Sequence, residues 1–204
     1  MLLGITGASG AAYGLRCAGL LLAGGIELHV LVTRMGWDIL QEETGAGKVP
    51  GTTAGRKRWL AGRIGDSRPF RLHAEDDFRI PFASGSNPPD AMIVAPCSMG
   101  TVGRIASGVS SSVLTRCADV ALKERRPLVL VIRETPLSVL HLENMLSLAR
   151  AGADILPACP AFYHRPASVG DMVDFVASRA LSRIGIDAGV LPRWGEDAVK
   201  GGAQ

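Results

Sequence analysis

The chain has few cysteines and no long apolar run. Its four cysteines, at positions 17, 97, 117 and 159, form no C-x-x-C pair and lie in apolar segments. This excludes a disulfide framework and a zinc site of that type, and predicts reduced, buried thiols. No apolar run reaches the roughly 18 residues that a membrane span requires, and no basic segment precedes an apolar run at the N-terminus. We therefore expect a cytoplasmic chain without a membrane span.

A large excess of charge of one sign is also absent. The formal net charge is only +3, which is too small to indicate nucleic-acid binding. A few arginines and lysines around an anionic small molecule would account for it equally well. The length of 204 residues is sufficient for a large buried core, and we expect one domain spanning residues 1–204.

A glycine-rich turn is present near the start of the chain. Residues 4–14 read Gly-Ile-Thr-Gly-Ala-Ser-Gly-Ala-Ala-Tyr-Gly, after an apolar run at residues 1–3. Apolar residues then recur at helical spacing, at Ala11, Leu15, Ala18 and Leu22. The pattern predicts a strand, a turn that lets a ligand approach the backbone, and a helix whose free N–H groups face a phosphate. Ser9 either contacts that ligand or caps the helix.

Strand and helix patterns alternate through the rest of the chain. Apolar, β-type runs occur at residues 26–33, 91–95, 128–132 and 155–156, and Pro96 is expected to end the second of these. Helical patterns occur at residues 35–43, 113–123, 137–151 and 168–184. Residues 45–69 show only a short helical patch near Trp59. The alternation predicts an α/β fold of three layers with a mostly parallel sheet.

Polar residues follow three of the predicted strands. They are Thr6–Ser9, Ser98–Thr101 and the pair Arg133 and Glu134. Because the carboxyl ends of parallel strands share one edge of a sheet, we expect them to converge on one crevice. An arginine there can neutralise a phosphate or a flavin carbonyl, and a glutamate can relay a proton. The alternative is that Arg133 and Glu134 only take part in an internal or interface salt bridge.

The first turn also resembles the nucleotide fingerprint of short-chain dehydrogenases, but two features of those enzymes are missing. Thr33-Arg34 stands where an acidic residue would hold the ribose. No Tyr-x-x-x-Lys pair exists, since Tyr13 is followed four residues later by Cys17 and Tyr163 by Ala167. NAD is therefore not the expected ligand.

Seven longer segments closely resemble the flavin prenyltransferases of the UbiX type. These segments are residues 5–11, 95–101, 118–131, 133–136, 141–146, 160–166 and 191–195. The resemblance covers nearly the whole chain in register. It is weak at residues 45–69, and Phe78 stands where the family often has tryptophan.

The resemblance implies a Rossmann-like, flavodoxin-type fold that assembles as a homododecamer with sites shared between neighbouring subunits. It implies transfer of the dimethylallyl group of dimethylallyl phosphate to N5 and C6 of reduced FMN, without a metal. The product, prenylated FMN, would pass to a UbiD-type decarboxylase. Such a reaction needs cations to hold the departing phosphate and a dry pocket to protect the allyl group.

The same resemblance assigns roles to individual residues. FMN would be held by Gly7, Ala8, Ser9, Thr33, Ser98, Met99, Gly100, Thr101 and Arg133. Dimethylallyl phosphate would be held by Arg116, Lys123, Tyr163 and Arg179, although position alone predicts that Lys123 and Arg179 are solvated cations. Protons around N5 and C6 would be handled by Ser9, Glu43 and Glu134.

Two alternatives keep the flavin but not this chemistry. An FMN-dependent cysteine decarboxylase would carry Pro-Ala-Ser-Ala-Asn-Thr where residues 96–101 read Pro-Cys-Ser-Met-Gly-Thr. A non-catalytic FMN carrier would not need Lys123, Tyr163 and Arg179, so the presence of all three favours the prenyltransferase.

Overall fold

A computed structural model describes residues 1–190, and the segment 191–195 noted above lies outside them. The strands are β1 Leu2–Ile5, β2 His29–Val32, β3 Arg71–His73, β4 Met92–Cys97, β5 Leu128–Ile132 and β6 Asp154–Pro157. The helices are α1 Ala11–Ala23, α2 Arg34–Thr44, α3 Thr53–Ile64, α4 Met99–Ala106, α5 Val113–Lys123, α6 Val139–Arg150 and α7 Val169–Ser182. A 3₁₀ turn occupies Pro81–Ala83.

The strands form one six-stranded sheet in the order β3-β2-β1-β4-β5-β6. Every pairing between neighbouring strands is parallel. The chain first builds outward from β1 through β2 to β3, then returns to β4 and builds in the other direction. The direction switches between β1 and β4, and ligands bind at such a point in open α/β sheets. The predicted Rossmann-like α/β class with three layers is confirmed.

Helices cover both faces of the sheet. One apolar cluster joins the strands to α1, α2, α3 and α7, and a second joins them to α4, α5 and α6. The strands β1, β4 and β5 are buried along their whole length, which explains why they read as unbroken apolar runs. Full burial of a leucine or isoleucine side chain contributes about 1.5–3 kcal/mol, so each such side chain on these strands stabilises the fold.

Three local predictions were wrong. Pro96 lies inside β4 instead of ending it; the register with β5 shifts between Val94 and Cys97, where a residue without an N–H group is tolerated. The strand β3 was missed because its three residues are polar or partly exposed and carry no apolar pattern. Cys159 is exposed, whereas the other three cysteines are buried as predicted.

Residues 45–69, which the sequence left unassigned, contain a helix of 12 residues, α3. Thr52 caps its start by accepting the N–H of Gly55 at 3.2 Å. Trp59 Nε1–H and Arg63 Nη2–H both donate to the carbonyl of Ala46, at 3.0 and 2.7 Å. The helix therefore holds the preceding loop against the α1 face of the sheet.

Two histidines meet on the face of β2 and β3. His29 is 6% exposed, and its Nδ1 lies 2.8 Å from Nε2 of His73. The Phe82 ring stands edge-on to His29 with 4.6 Å between ring centroids. Burial lowers the pKa of both histidines, and their mutual proximity lowers that of His73 further, while Glu27 partly opposes this at His29.

Acidification is expected to destabilise the fold through His29. With its pKa lowered in the folded state, the imidazole stays neutral there, while the unfolded chain takes up a proton below about pH 6.5. The free energy of unfolding should therefore fall by an amount on the order of 1 kcal/mol as the pH drops from about 7.5 to about 5.5. Urea denaturation at both pH values measures this. The variant His29→Leu should lose less stability over the same interval, and an equal loss would contradict the assignment.

Candidate functional site

The carboxyl ends of β1 and β4 are joined by the hydroxyl of Thr6. This side chain is 1% exposed and donates to the carbonyl of Pro96 at 2.8 Å. Its oxygen also accepts the N–H of Ser98 at 2.8 Å, and the Thr6 N–H reaches the same Pro96 carbonyl at 3.2 Å. Thr6 thus fixes the two turns relative to one another. Sequence reasoning placed it in the polar strand end but gave it no role, because its acceptor lies 90 positions away.

Removing this hydroxyl is expected to destabilise the protein. Thr6→Val keeps the side-chain shape but leaves the partly buried Ser98 N–H without its acceptor, which typically costs about 1–3 kcal/mol. Thr6→Ser keeps the hydroxyl and should stay closer to wild type. Urea denaturation measures the free energy of unfolding of wild type, Thr6→Val and Thr6→Ser. A Thr6→Val variant as stable as wild type would show that the Thr6 hydroxyl does not stabilise the fold.

The first turn is shaped by close packing against α2. A Cβ added to Gly7 would collide with the Cβ of Met35, near the start of α2. Gly10 has a φ of 109°, which residues with a side chain rarely adopt. Ala8 is buried and Ser9 exposed, so the turn presents the Ser9 side chain outward at the switch point.

Glu43, from the last turn of α2, reaches back to the start of α1. Its carboxylate accepts the N–H of Gly10 at 2.9 and 3.0 Å and the N–H of Ala11 at 2.7 Å. An acidic group at this position is favoured by the helix dipole. The expectation that these two N–H groups are free for a phosphate is wrong, because the Glu43 carboxylate already binds them. Glu43 therefore lies next to Ser9 in the fold, and both residues are predicted to transfer protons near the flavin.

Thr33 and Ser98 each cap a helix at the carboxyl edge. The Thr33 oxygen accepts the N–H of Gly36 at 3.0 Å, and the Ser98 oxygen accepts the N–H of Thr101 at 3.3 Å. Ser98 Oγ also lies 3.0 Å from Thr101 Oγ1. The Thr33 hydroxyl thus lies at the start of α2, and the Ser98 hydroxyl lies at the start of α4. The two helices follow β2 and β4, the strands on either side of β1.

Arg133 and Glu134 follow β5 and reach in different directions. Arg133 Nε–H donates to the carbonyl of Ser9 at 3.2 Å, and Glu134 accepts the N–H of Thr135 at 3.1 Å. Within residues 1–190 neither side chain forms an ion pair, so the structure shows no internal salt bridge here, and an interface salt bridge stays a prediction. Glu134 borders a cavity of about 430 Å³ whose other walls are mainly apolar, including Met145 and Ile155.

Tyr163 and Arg179 lie near this cavity. Arg179 on α7 lines a groove of about 350 Å³ together with Phe175 and Cys159. The Tyr163 ring stands edge-on to Phe175, with 6.1 Å between ring centroids. Because Cys159 lines both the groove and the Glu134 cavity, Arg179 adjoins the carboxyl-edge site within one chain.

Arg116 lies in the first turn of α5, and Lys123 lies at the other end of this helix. The helix α5 begins at the carboxyl edge, where the Val113 N–H donates to the Glu75 carbonyl at 3.0 Å, and its 11 residues span about 16 Å. Lys123 ends the helix just before Pro127, whose carbonyl accepts the N–H of Met92 at the amino end of β4. Lys123 and Ser9 are therefore at opposite edges of the sheet.

The two α5 cations have protein partners in the single chain. Arg116 donates to the Ala83 carbonyl at 3.0 Å and to Asp119 at 2.7 Å. Lys123 pairs with Glu124, and both of these side chains pack against Gly85. Arg116 and Lys123 are two helical turns apart, so they lie on one face of α5 beside the segment 83–85.

Residues 1–190 contain neither a metal-binding cluster nor a membrane-spanning helix. No group of three or more His, Cys, Asp or Glu side chains there is arranged to hold a metal ion. No helix in that part of the chain is both long enough and apolar enough to cross a membrane.

Comparison with known proteins gives concordant results. A family model described as Flavoprotein matches residues 1–181. The flavin prenyltransferase UbiX of Pseudomonas aeruginosa is 47% identical over 195 residues, which cover 95% of this chain and 93% of that protein.

Solved structures match over nearly the whole chain. AnUbiX (PadA1), crystallised with FMN and dimethylallyl pyrophosphate, has a TM-score of 0.82 and 37% identity over 95% of both chains. A dodecameric FMN-dependent UbiX-like decarboxylase from Escherichia coli O157:H7 has a TM-score of 0.81 and 37% identity, over 95% of this chain and 97% of that one. The cysteine decarboxylase TvaF, at 16% identity over 91% and 97% of the two chains with a TM-score of 0.58, shares the fold alone.

Proposed function

Because the chain belongs to the flavoprotein family and, within it, to the flavin prenyltransferases of the UbiX type, we propose that its carboxyl-edge crevice joins a dimethylallyl group to FMN. The protein is a transferase that uses FMN. The dimethylallyl group would come from dimethylallyl phosphate and attach to N5 and C6 of the reduced flavin. The proposal is carried by the meeting of the two hydroxyl-rich turns and Arg133 at the switch point between β1 and β4.

The residues at this point suit a flavin with a phosphate tail. They offer the hydroxyls of Ser9, Thr33 and Ser98, and one guanidinium, that of Arg133. Hydroxyls can bind the ribityl chain and phosphate, and an arginine can bind a phosphate or a ring carbonyl. Reduced FMN supplies the electron-rich N5 and C6 positions that receive the allyl group.

The acidic residues supply proton transfer around those positions. Glu43 is held by the N–H groups of Gly10 and Ala11 beside Ser9, and Glu134 borders the apolar cavity. We assign Ser9, Glu43 and Glu134 to holding and moving protons near the flavin ring. The mainly apolar walls beside Glu134 would exclude water from the allyl group.

Four residues are assigned to the phosphate of the substrate: Arg116, Lys123, Tyr163 and Arg179. Cations and a phenol stabilise the departing phosphate without a metal. Arg179 adjoins the crevice of its own chain through Cys159. Lys123 is at the opposite edge of the sheet, and Arg116 lies on the same face of α5 with protein partners of its own. We therefore propose that a neighbouring copy delivers both cations to each site.

The exposed apolar surface of α6 supports the assembly of several copies of the chain. The helix α6 exposes a run of large apolar side chains, including Val139 at 70% and Leu140 at 69% exposure, and such patches mark interfaces. We propose a homododecamer, the state named for the UbiX-like protein of Escherichia coli O157:H7. A UbiD-type decarboxylase as recipient of the product, a cytoplasmic location and a single domain over residues 1–204 stay predictions.

Phosphate release distinguishes this function from the alternatives. The protein is incubated without oxygen with dimethylallyl phosphate and either reduced or oxidised FMN, and inorganic phosphate is measured. Release should require reduced FMN, because the allyl group leaves only toward an electron-rich acceptor. A second arm replaces the substrate by dimethylallyl pyrophosphate, and a third supplies a peptide with a C-terminal cysteine. Release of CO₂ from that peptide without phosphate release in the first arm would support a cysteine decarboxylase instead.

A further inference from the structure

A basic groove of about 760 Å³ lies between α2 and the loop that follows this helix. One wall is a face of α2, whose lining residues recur at helical spacing at positions 34, 37, 38, 41 and 45. The opposite wall is the loop 47–51 together with Arg56 in the first turn of α3. The groove thus belongs largely to residues 45–69, where the resemblance to the UbiX type is weak and which the proposed reaction does not use.

Three cations line this groove: Arg34, Lys48 and Arg56. None of them forms an ion pair within residues 1–190. Asp38 is the single acidic side chain among the lining residues of the groove. The groove therefore has an excess of positive charge along its walls, which attracts an anion and can be neutralised by one.

Arg56 is held in place by two contacts. Its Nε–H donates to the carbonyl of Pro50 at 3.1 Å, and its guanidinium lies over the ring of Trp37, 5.2 Å from the ring centroid. Trp37 is buried, so it supports the guanidinium from a fixed position. These contacts leave the two terminal nitrogens of Arg56 as donors in the planar arrangement that suits a phosphate. A side chain fixed in advance loses little freedom when a ligand binds.

The loop wall is fixed as well. The Val49 N–H donates to the side-chain oxygen of Gln41 at 2.8 Å, and the amide nitrogen of Gln41 stays as a donor on the α2 wall. Asp38 adds an acceptor for a hydroxyl group. The volume of the groove falls within the range of about 300–1,000 Å³ that is typical of small-molecule sites. The arrangement suits an organic molecule with both a phosphate and hydroxyl groups.

We propose that this groove binds a small organic phosphate ester at a site of its own. The three cations hold the phosphate, and hydroxyl groups of the ligand donate to Asp38. The groove shares no lining residue with the two cavities of the carboxyl-edge site. Met35 and Glu43, through which α2 contacts the glycine-rich turn, lie on a different face of that helix. The inference does not depend on the proposed function.

Titration calorimetry with ribose 5-phosphate as the probe tests the site. Arg56→Gln and Lys48→Gln should each raise the dissociation constant about tenfold, as expected for the loss of one charge-assisted hydrogen bond. Arg58→Gln is the matched control, because Arg58 is an exposed cation of α3 that does not line the groove. An unchanged constant in either groove variant, an equal rise in Arg58→Gln, or no binding to wild type overturns the proposal. Lys48 is exposed in a loop, so Lys48→Gln decides the matter even if Arg56→Gln folds poorly.

Further arms test the chemical class and the separateness of the site. Ribose lacks the phosphate and citrate has carboxylates instead, so both should bind more weakly than ribose 5-phosphate, and equal binding of either overturns the phosphate assignment. Arg179→Ala should bind ribose 5-phosphate as wild type does, and loss of binding in that variant would place the probe at the substrate phosphate and overturn the proposal. FMN affinity should stay at the wild-type level in Lys48→Gln, and a fall there would contradict a separate site.

Discussion

Replacing Lys123 or Arg179 by alanine is expected to lower prenyl transfer about tenfold or more while FMN affinity stays at the wild-type level. Dimethylallyl phosphate has only five carbons besides its phosphate, so few other contacts can hold it. A hydrogen bond to a charged group is worth roughly 1.5–3 kcal/mol, and each 1.36 kcal/mol lost in the transition state slows the reaction about tenfold. Prenylated-flavin formation and FMN binding are measured on the same preparation.

Each variant has a matched control in its own segment. Arg126 follows Lys123 in the same exposed charge run, and Arg183 lies one turn after Arg179, paired with Asp154 at 2.8 Å. Exposed pairs of this kind contribute at most about 1 kcal/mol, so Arg126→Ala and Arg183→Ala should keep their activity. If Lys123→Ala and Arg179→Ala transfer the prenyl group as fast as wild type, the phosphate assignment is wrong.

Mixing two inactive variants is expected to restore activity. Lys123 lies at the amino edge and Ser9 at the carboxyl edge of one chain, so a complete site needs the two from different copies. In an oligomer assembled at random from equal amounts of Lys123→Ala and Ser9→Ala, each residue is intact in half of the copies. About a quarter of the sites should then contain both, and activity should reach about that fraction of wild type. The two chains are co-refolded with different tags, and the mixed oligomer is isolated.

The control for this experiment is a mixture of Lys123→Ala and Arg116→Ala. These side chains lie on one face of α5, so a single copy must supply both to a given site. No copy in that mixture has both residues, and activity should stay near that of the separate variants. Recovery in this mixture, or none in the first, would contradict delivery of α5 by a neighbouring copy.

Features encoded in short segments were predicted well. The bounds of α5 and β5, residues 113–123 and 128–132, are those predicted, because each is a complete helical or apolar pattern. The helical pattern at residues 168–184 corresponds to α7, which begins with a capping box of Ser168 and Asp171. The convergence of three polar strand ends followed from the parallel sheet alone.

Features that depend on distant contacts were not predicted. The bonds from Glu43 to the start of α1, and from Thr6 to Ser98, join segments far apart in the chain. The separation of Lys123 from Ser9 emerges only from the direction of α5 across the sheet.

The mass of the flavin after reaction tests the central claim most directly. The protein is incubated without oxygen with reduced FMN and dimethylallyl phosphate, and the small molecules are separated and weighed by mass spectrometry. We predict a reduced flavin heavier than reduced FMN by one C₅H₈ unit, absent when the protein or dimethylallyl phosphate is omitted. Recovery of unmodified FMN alone, from a preparation that binds FMN, would contradict the assignment as a flavin prenyltransferase.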